Sequence, residues 1–298
     1  MEIAVNVNGR ISEGREATVP ALDYGYLFGD GVYETLRTYN RRPFLFDRHL
    51  ARFRASAEQL ALSMPLDATA WEARLAETMR ALDHDGEVTI RLLLTRGLGD
   101  FTYNPAACPS PTAVIIVRPV AEVPSAHVRH GITIRISSVI RNHPRALSPR
   151  IKSNNLLNNI LAMQEAIQHG AGEALLLNDR GELTECAQSN IFLVLDGTAL
   201  TPPLGAGLLE GVTRNFLFEV GEAASVPVRE QTLRPEHLAN ADELFVTSTT
   251  REVLGVTRVD ETEYSQGRPG PITTKLAVEF RRLAHGTTPM PRPADRRR

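Results

Sequence analysis

The sequence predicts an α+β protein of two domains, and three observations carry that expectation. At 298 residues the chain is longer than one hydrophobic core usually organises. Its apolar segments come as short alternating runs and helical runs, without the repeating βα units of a doubly wound sheet. Near the middle, Pro119-Val120-Ala121-Glu122-Val123-Pro124-Ser125 is a proline-bracketed stretch with the composition of a linker. The expected divisions are therefore a small domain over 1–118, a linker over 119–125 and a larger domain over 126–286. A Pro- and Arg-rich tail without apolar periodicity, expected to be disordered, occupies 287–298.

Each element follows from its pattern. Glu2 to Val7 alternates like a strand, Asn8-Gly9 supplies a hairpin turn, and Arg10-Ile11 begins the return. A strand over Gly31 to Tyr39 ends at the turn Asn40-Arg41-Arg42-Pro43 and is expected to resume at Phe44-Leu45-Phe46. Leu50, Phe53, Ala57 and Leu60 are spaced for a helix from Asp47, and another helix is expected over Thr69 to Leu82. Strands follow at Val88 to Thr95 and Thr112 to Arg118. In the second half, strands are expected at Ile132 to Ile140, Glu173 to Asn178, Asn190 to Leu195 and Glu243 to Thr247. Helices are expected at Asn154 to His169, Val212 to Glu222 and Thr274 to Ala284.

Composition narrows the class of function. With 42% hydrophobic and 23% charged residues the chain is an ordinary globular sequence. A net charge of −2 gives no electrostatic reason to bind nucleic acid or an anionic membrane. The two cysteines, Cys108 and Cys186, form neither a metal signature nor a disulfide framework, which fits a reducing cytoplasm. The N-terminus lacks the pattern of a signal peptide, and no apolar run reaches the ~18 residues of a membrane span. A cytoplasmic location is the expectation.

Lysine is nearly absent. Of 33 basic residues only Lys152 and Lys275 are lysine, so 33 − 2 = 31 are arginine. A retained lysine draws interest because an amine can lose its proton and attack a carbonyl, whereas a guanidinium stays protonated. Lys275 lies on a surface-helix pattern and reads as solvated charge. Lys152 lies in Arg150-Ile151-Lys152-Ser153-Asn154-Asn155, just before a helical run. A candidate buried carboxylate, Glu185, lies between an Asp179-Arg180-Gly181-Glu182 turn and a strongly apolar strand; a solvated strand-end glutamate is the alternative. The glycine-rich Leu204-Gly205-Ala206-Gly207 leads to Gly211-Val212-Thr213-Arg214, a helix start whose free N–H groups suit an anion. That spacing matches neither a dinucleotide fingerprint nor a Walker A loop. Thr247-Ser248-Thr249-Thr250 adds a hydroxyl cluster or a solvated turn, and Arg52 is a candidate fixed charge. An amine, a carboxylate and an anion cradle are what a pyridoxal phosphate site requires.

Taken in order, five motifs resemble the fold-type IV pyridoxal-phosphate enzymes, among them branched-chain aminotransferases, D-amino-acid transaminases, (R)-amine transaminases and aminodeoxychorismate lyase. They are Phe28-Gly29-Asp30-Gly31-Val32-Tyr33-Glu34, His49-Leu50-Ala51-Arg52, Ile151-Lys152-Ser153-Asn154-Asn155, Thr184-Glu185 with Ser189-Asn190-Ile191-Phe192, and Gly211-Val212-Thr213-Arg214. The resemblance runs from about residue 4 to residue 256. It implies a small α/β domain and a larger pseudo-barrel domain, with the site between them completed by the second subunit of a homodimer. It implies Lys152 as the lysine that carries pyridoxal 5′-phosphate and shuttles the substrate proton, and Glu185 as the partner of the pyridine nitrogen. Arg52, Val212, Thr213, Ser248 and Thr249 would hold the phosphate, and Asn190 joins this cofactor-binding set. Tyr33, Arg91, Thr250 and Phe28 would face the substrates, an amino donor and a 2-oxo acid.

Subfamily signals are mixed. Val32-Tyr33-Glu34 resembles the D-amino-acid branch, Leu156 stands where branched-chain enzymes place a tyrosine, and Ser248-Thr249-Thr250 replaces their Gly-Thr-Ala turn. Yet the Arg-x-His carboxylate trap of D-amino-acid enzymes is missing from Thr95 to Tyr103. Thr89 to Asp100 looks like the branched-chain type, with Thr89 in place of its tyrosine. The expected reaction is transfer of an amino group between an α-amino acid and a 2-oxo acid. The alternatives are an (R)-selective amine transaminase and aminodeoxychorismate lyase. That lyase typically carries another arginine in the segment after Gly97, and this chain has none before Arg118.

Overall fold

A computed structural model describes residues 1–286; the tail expected over 287–298 lies outside them. The first half contains β1 (Ala4–Val7), β2 (Arg10–Glu13), α1 (Tyr24–Leu27), β3 (Gly31–Tyr39), β4 (Arg42–Pro43), α2 (Phe46–Gln59), α3 (Ala68–Ala81), β5 (Val88–Thr95) and β6 (Thr112–Pro119). Its six strands form one antiparallel sheet in the order β2-β1-β6-β5-β3-β4. Alternation along the strands sorts the side chains by face. Leu36 of β3, Ile90 and Leu92 of β5, and Ile115 and Val117 of β6 pack under α2 and α3 with Phe53, Trp71 and Leu75. Tyr33, Thr35, Arg91 and Arg118 fall on the opposite face.

Strand β4 is only two residues long, and the expected strand over Phe44–Phe46 does not form. Pro43 has no N–H for a ladder, Leu45 turns with φ 51°, and Phe46 opens α2. Helix α3 starts where Asp67 caps the Ala70 N–H at 2.8 Å.

The second half contains α4 (Ser125–His130), β7 (Ile132–Ile136), α5 (Leu157–Gln168), β8 (Glu173–Leu177), β9 (Leu183–Cys186), β10 (Asn190–Leu195) and β11 (Thr198–Thr201). It continues with α6 (Val212–Ala224), β12 (Val228–Glu230), α7 (Pro235–Leu238), β13 (Glu243–Ser248), β14 (Glu252–Val259), β15 (Thr262–Glu263) and α8 (Pro271–His285). Nine strands form a mixed sheet, β12-β11-β10-β13-β14-β7-β8-β9, with β15 on β14. Strands β11/β12, β14/β7 and β7/β8 pair in parallel. Both faces of β10 are covered, which is why its sequence is continuously apolar. Ile191 and Leu193 join the core inside the sheet's curve, while Phe192 and Val194 pack under α6 and α8. Phe192 stacks on Phe245 at 4.8 Å, and Phe280 of α8 meets Phe44 and Phe216 edge-on, joining the two halves.

Three expected limits shift for identifiable reasons. Strand β7 stops at Ile136, because Ser137 and Ser138 bend away to donate to Glu165 of α5. Helix α5 begins at Leu157 rather than Asn154. The preceding residues are extended against β3 instead: the Tyr33 N–H donates to the Lys152 carbonyl and the Asn154 N–H to the Gly31 carbonyl, each at 2.9 Å. The proline-bracketed stretch contributes Pro119 to the end of β6 and Ser125 to the start of α4.

Candidate active site

A cavity of ≈ 810 Å³ opens between the free face of the six-stranded sheet, α5, the β9–β10 turn, the start of α6 and the β13–β14 turn. Lys152 is fixed on its wall by its backbone: the carbonyl is held by β3, and its N–H donates to Ser56 Oγ at 3.1 Å. Its Nζ lies 3.5 Å from the Tyr33 hydroxyl and 4.5 Å from the centre of that ring. The Arg91 guanidinium also lies 4.5 Å from that ring centre and reaches Thr35 Oγ1 at 3.4 Å.

Glu185, on β9, is buried on another wall. Arg141 Nε donates to it at 2.9 Å, the Leu209 N–H at 3.1 Å and Asn190 Nδ2 at 3.4 Å. Burial pushes its carboxyl pKa up, against the pull of Arg141, Leu209 and Lys152. Arg52 occupies a side wall. Its Nε and Nη2 form a two-pronged pair with buried Glu34 at 2.6 and 2.8 Å, and Nη1 donates to the Glu210 carbonyl at 2.8 Å.

The floor of one lobe is formed by a helix start, whose free N–H groups suit an anion. Gly211 caps α6 with no side-chain bond to its first N–H groups, leaving Val212 and Thr213 to face the cavity. A Cβ at Gly211 would come within 2.0 Å of Asn190 Oδ1, so the close approach requires glycine. Across the lobe, Ser248, Thr249 and Thr250 line the wall, and Thr247 Oγ1 is buried without a protein partner. A helix start, an arginine and hydroxyls around one lobe, with an amine and a buried carboxylate beyond, fit a phosphorylated pyridine aldehyde.

Eleven of the twelve residues expected from the sequence line this one cavity: Lys152, Glu185, Arg52, Val212, Thr213, Ser248, Thr249, Asn190, Tyr33, Arg91 and Thr250. Phe28 does not. It caps α1 and packs against Tyr24 and Tyr103, at ring separations of 4.8 and 5.2 Å, away from the lining of this chain's cavity. Arg141, Thr247, Leu209 and Arg118 are lining residues to which sequence reasoning assigns no role. Thr247 is legible only as part of a hydroxyl run, and Arg141 carries no local signal. Arg214, inside a recognisable motif, turns away to Glu230 and the Pro202 carbonyl.

A family model described as Amino-transferase class IV matches residues 31–259. The chain belongs to the class IV aminotransferases. It is 34% identical over 277 residues to a putative branched-chain-amino-acid aminotransferase of Methanocaldococcus jannaschii, covering 93% of this chain and 95% of that one. It is 37% identical over 280 residues to a D-alanine aminotransferase of Listeria monocytogenes, covering 93% and 94%. Among solved structures, the branched-chain aminotransferase of Escherichia coli superposes with a TM-score of 0.90 at 28% identity, covering 96% and 95%. A Thermus thermophilus branched-chain aminotransferase with pyridoxamine 5′-phosphate gives 0.89 at 27%, with the same coverage. Class IV aminotransferases are pyridoxal-phosphate-dependent, and the α+β architecture described above is the fold-type IV arrangement of these structures. No helix among the described residues is long and apolar enough to cross a membrane.

Proposed function

We propose that this class IV aminotransferase moves the amino group of a small or branched apolar α-amino acid to a 2-oxo acid such as 2-oxoglutarate or pyruvate. The observation that carries the reading is the placement of Lys152, Glu185 and the α6 N-terminus around one cavity. When bound, pyridoxal 5′-phosphate supplies an electron sink that makes the substrate Cα–H acidic. Lys152 would hold the cofactor through Nζ, and the same amine is the group placed to move a proton from the donor carbon of the substrate to the cofactor side. The Tyr33 hydroxyl at 3.5 Å orients that amine. Glu185, oriented by Arg141 and Asn190, would meet the ring nitrogen with a carboxylate that favours its protonated form. Arg52, the Val212 and Thr213 N–H groups, and the hydroxyls of Thr213, Ser248 and Thr249 hold the phosphate.

Arg91 and Thr250 face the substrate space. Arg91 is held over the Tyr33 ring, leaving its guanidinium fork for the distal carboxylate of a dicarboxylic acceptor. Relatives of both the branched-chain and D-alanine types support α-amino acids as donors, and L-leucine, L-valine and D-alanine form the deciding set. Fast turnover of 1-phenylethylamine with none of these three would replace the amino-acid reading with an amine transaminase. The cofactor assignment is tested with Lys152→Ala, expected to abolish both the visible absorbance of lysine-bound pyridoxal phosphate and transamination, while Lys275→Arg changes neither. Borohydride fixation of the cofactor on Lys275 would overturn it.

A further inference from the structure

The turn that joins β13 to β14 carries Ser248, Thr249 and Thr250 into the cavity, and the two residues after it are anchored in opposite directions. Arg251 Nη1 pairs with Glu173 at the start of β8, a carboxylate with 0% exposure that also accepts from Ser189 Oγ at 3.2 Å. The next residue, Glu252, is buried and adopts φ 57°, a left-handed conformation unfavourable for a side chain of this kind. Its carboxylate is saturated by three donors. Arg37 Nη1 at 3.0 Å and the Tyr39 hydroxyl at 2.6 Å reach Oε1, and Arg281 Nε at 2.6 Å reaches Oε2.

Those donors come from different parts of the fold. Arg37 and Tyr39 lie on β3, the strand that also carries Tyr33, and Arg281 lies on α8. Glu173 belongs to the nine-stranded sheet beside the β9–β10 turn. The turn is also closed on itself, with the Arg251 N–H donating to Ser248 Oγ at 3.2 Å. A buried charge pair and an unfavourable backbone angle persist only where surrounding contacts over-determine them.

We infer that Arg251 and Glu252 are positioning residues that lock the Ser248–Thr250 turn to both sheets, presenting its hydroxyls to the cofactor phosphate in a fixed place. The inference rests on the pyridoxal phosphate reading above. Neither residue touches the cofactor. Arg251 pins the turn to the floor of the large sheet, and Glu252 pins it to the strand that carries the substrate-facing wall. The separation between phosphate cradle and substrate wall is thereby set by two adjacent side chains.

The test titrates cofactor-free protein with pyridoxal 5′-phosphate and, in parallel, with phosphate-free pyridoxal, read by visible absorbance. In Arg251→Gln the affinity for pyridoxal phosphate should fall on the order of tenfold, the loss of about one phosphate-directed hydrogen bond. Pyridoxal, which lacks the phosphate and keeps the groups that Lys152 and Glu185 would meet, should bind as in the unsubstituted protein. Arg251→Lys, which keeps the charge, should recover part of the loss, and Glu252→Gln should show the same split between the two ligands. Unchanged pyridoxal phosphate affinity in Arg251→Gln would overturn the inference, as would equal loss for both ligands, the mark of a merely structural role. If Glu252→Gln does not fold, the Arg251 pair decides alone. Failure of the unsubstituted protein to bind pyridoxal phosphate at Lys152 would refute the cofactor reading and this inference with it, and is distinguished because no substitution is involved.

Discussion

Among single residues, Glu185 is under opposing forces. Burial drives its carboxyl toward the neutral form, and Arg141, Leu209 and Lys152 resist. A pyridinium nitrogen brought beside it would tip the balance further toward the anion, because an opposite charge in a desolvated site favours both ionised partners. Replacing Glu185 with Gln keeps the volume and removes the charge. Turnover is expected to fall on the order of a hundredfold or more, while pyridoxal phosphate still binds, since the groups proposed to hold its phosphate lie across the cavity. Near-normal turnover in that variant, measured with a saturating amino donor, would mean that another acid serves the ring. The residue that most directly orients Glu185 is not legible in the sequence. Arg141 lies 44 positions earlier in the chain and reaches the carboxylate across β8: its N–H donates to the Leu177 carbonyl of β8, and β8 pairs with β9, which carries Glu185. Lys152 is legible for the opposite reason: its chemistry is one that the abundant arginines cannot supply.

At the scale of elements, the joint between β3 and α2 governs the arginine side of the cavity. Glu34 is buried among Arg52 and His49. Burial alone would raise its pKa, but the Arg52 charge and the hydrogen bonds from Arg52 and His49 outweigh it and hold the carboxyl at about 2, below its ordinary 4.5. A folded-state value below the unfolded one contributes stability that is complete above about pH 4.5 and is lost as pH falls toward 2. His49 acts in the same direction. Burial lowers its pKa against the pull of Glu34, so the unfolded chain takes up that proton first on acidification. The unfolding midpoint is therefore expected to drop as pH falls from about 4.5 toward 2, and Glu34→Gln should lower it at neutral pH while flattening this acid slope. Parallel pH profiles for the two proteins would refute the assignment.

The helix spacing of Leu50, Phe53 and Ala57 and the alternation of β3, β5 and β6 are readable because each reports one buried face. The β9 strand that carries Glu185 reads only as the approach to an apolar strand, because four residues, Leu183–Cys186, buried on both sides leave no periodicity to see. The aromatics at Phe44–Phe46 mimic a strand but serve the contact between the two sheets' cores. The start of α5 falls later than its pattern suggests because the Lys152 segment spends its backbone groups on β3.

The molecule as a whole shows apolar surface that a lone chain does not cover. Tyr26 on α1 and Phe101 and Tyr103 on the segment after β5 are 78%, 81% and 87% exposed, and the two are tied together where the Tyr24 hydroxyl donates to the Asp100 carbonyl at 2.8 Å. Helix α5 adds Leu157, Ile160, Leu161 and Ile167, all exposed. The segment before α5 is tied to the residues after α1, where the Asn154 N–H donates to the Gly31 carbonyl at 2.9 Å. Exposed aromatic and aliphatic groups of this size are what a subunit interface would cover, and a two-fold dimer is the commonest way to bury such a patch on itself. Helix α5 also walls the cavity through Ile160, Met163 and Ile167, so a partner covering its outer face would change access to the site as well as bury area. The chain is therefore expected to sediment at twice its 32.8 kDa mass. Leu161→Glu should shift it toward the monomer, because a carboxylate buried in the interface is left without a cation. Activity per chain should fall with dilution of that variant and recover as protein concentration rises. Sedimentation as a monomer, with undiminished turnover down to nanomolar chain concentrations, would show that one chain's cavity is complete without a second copy.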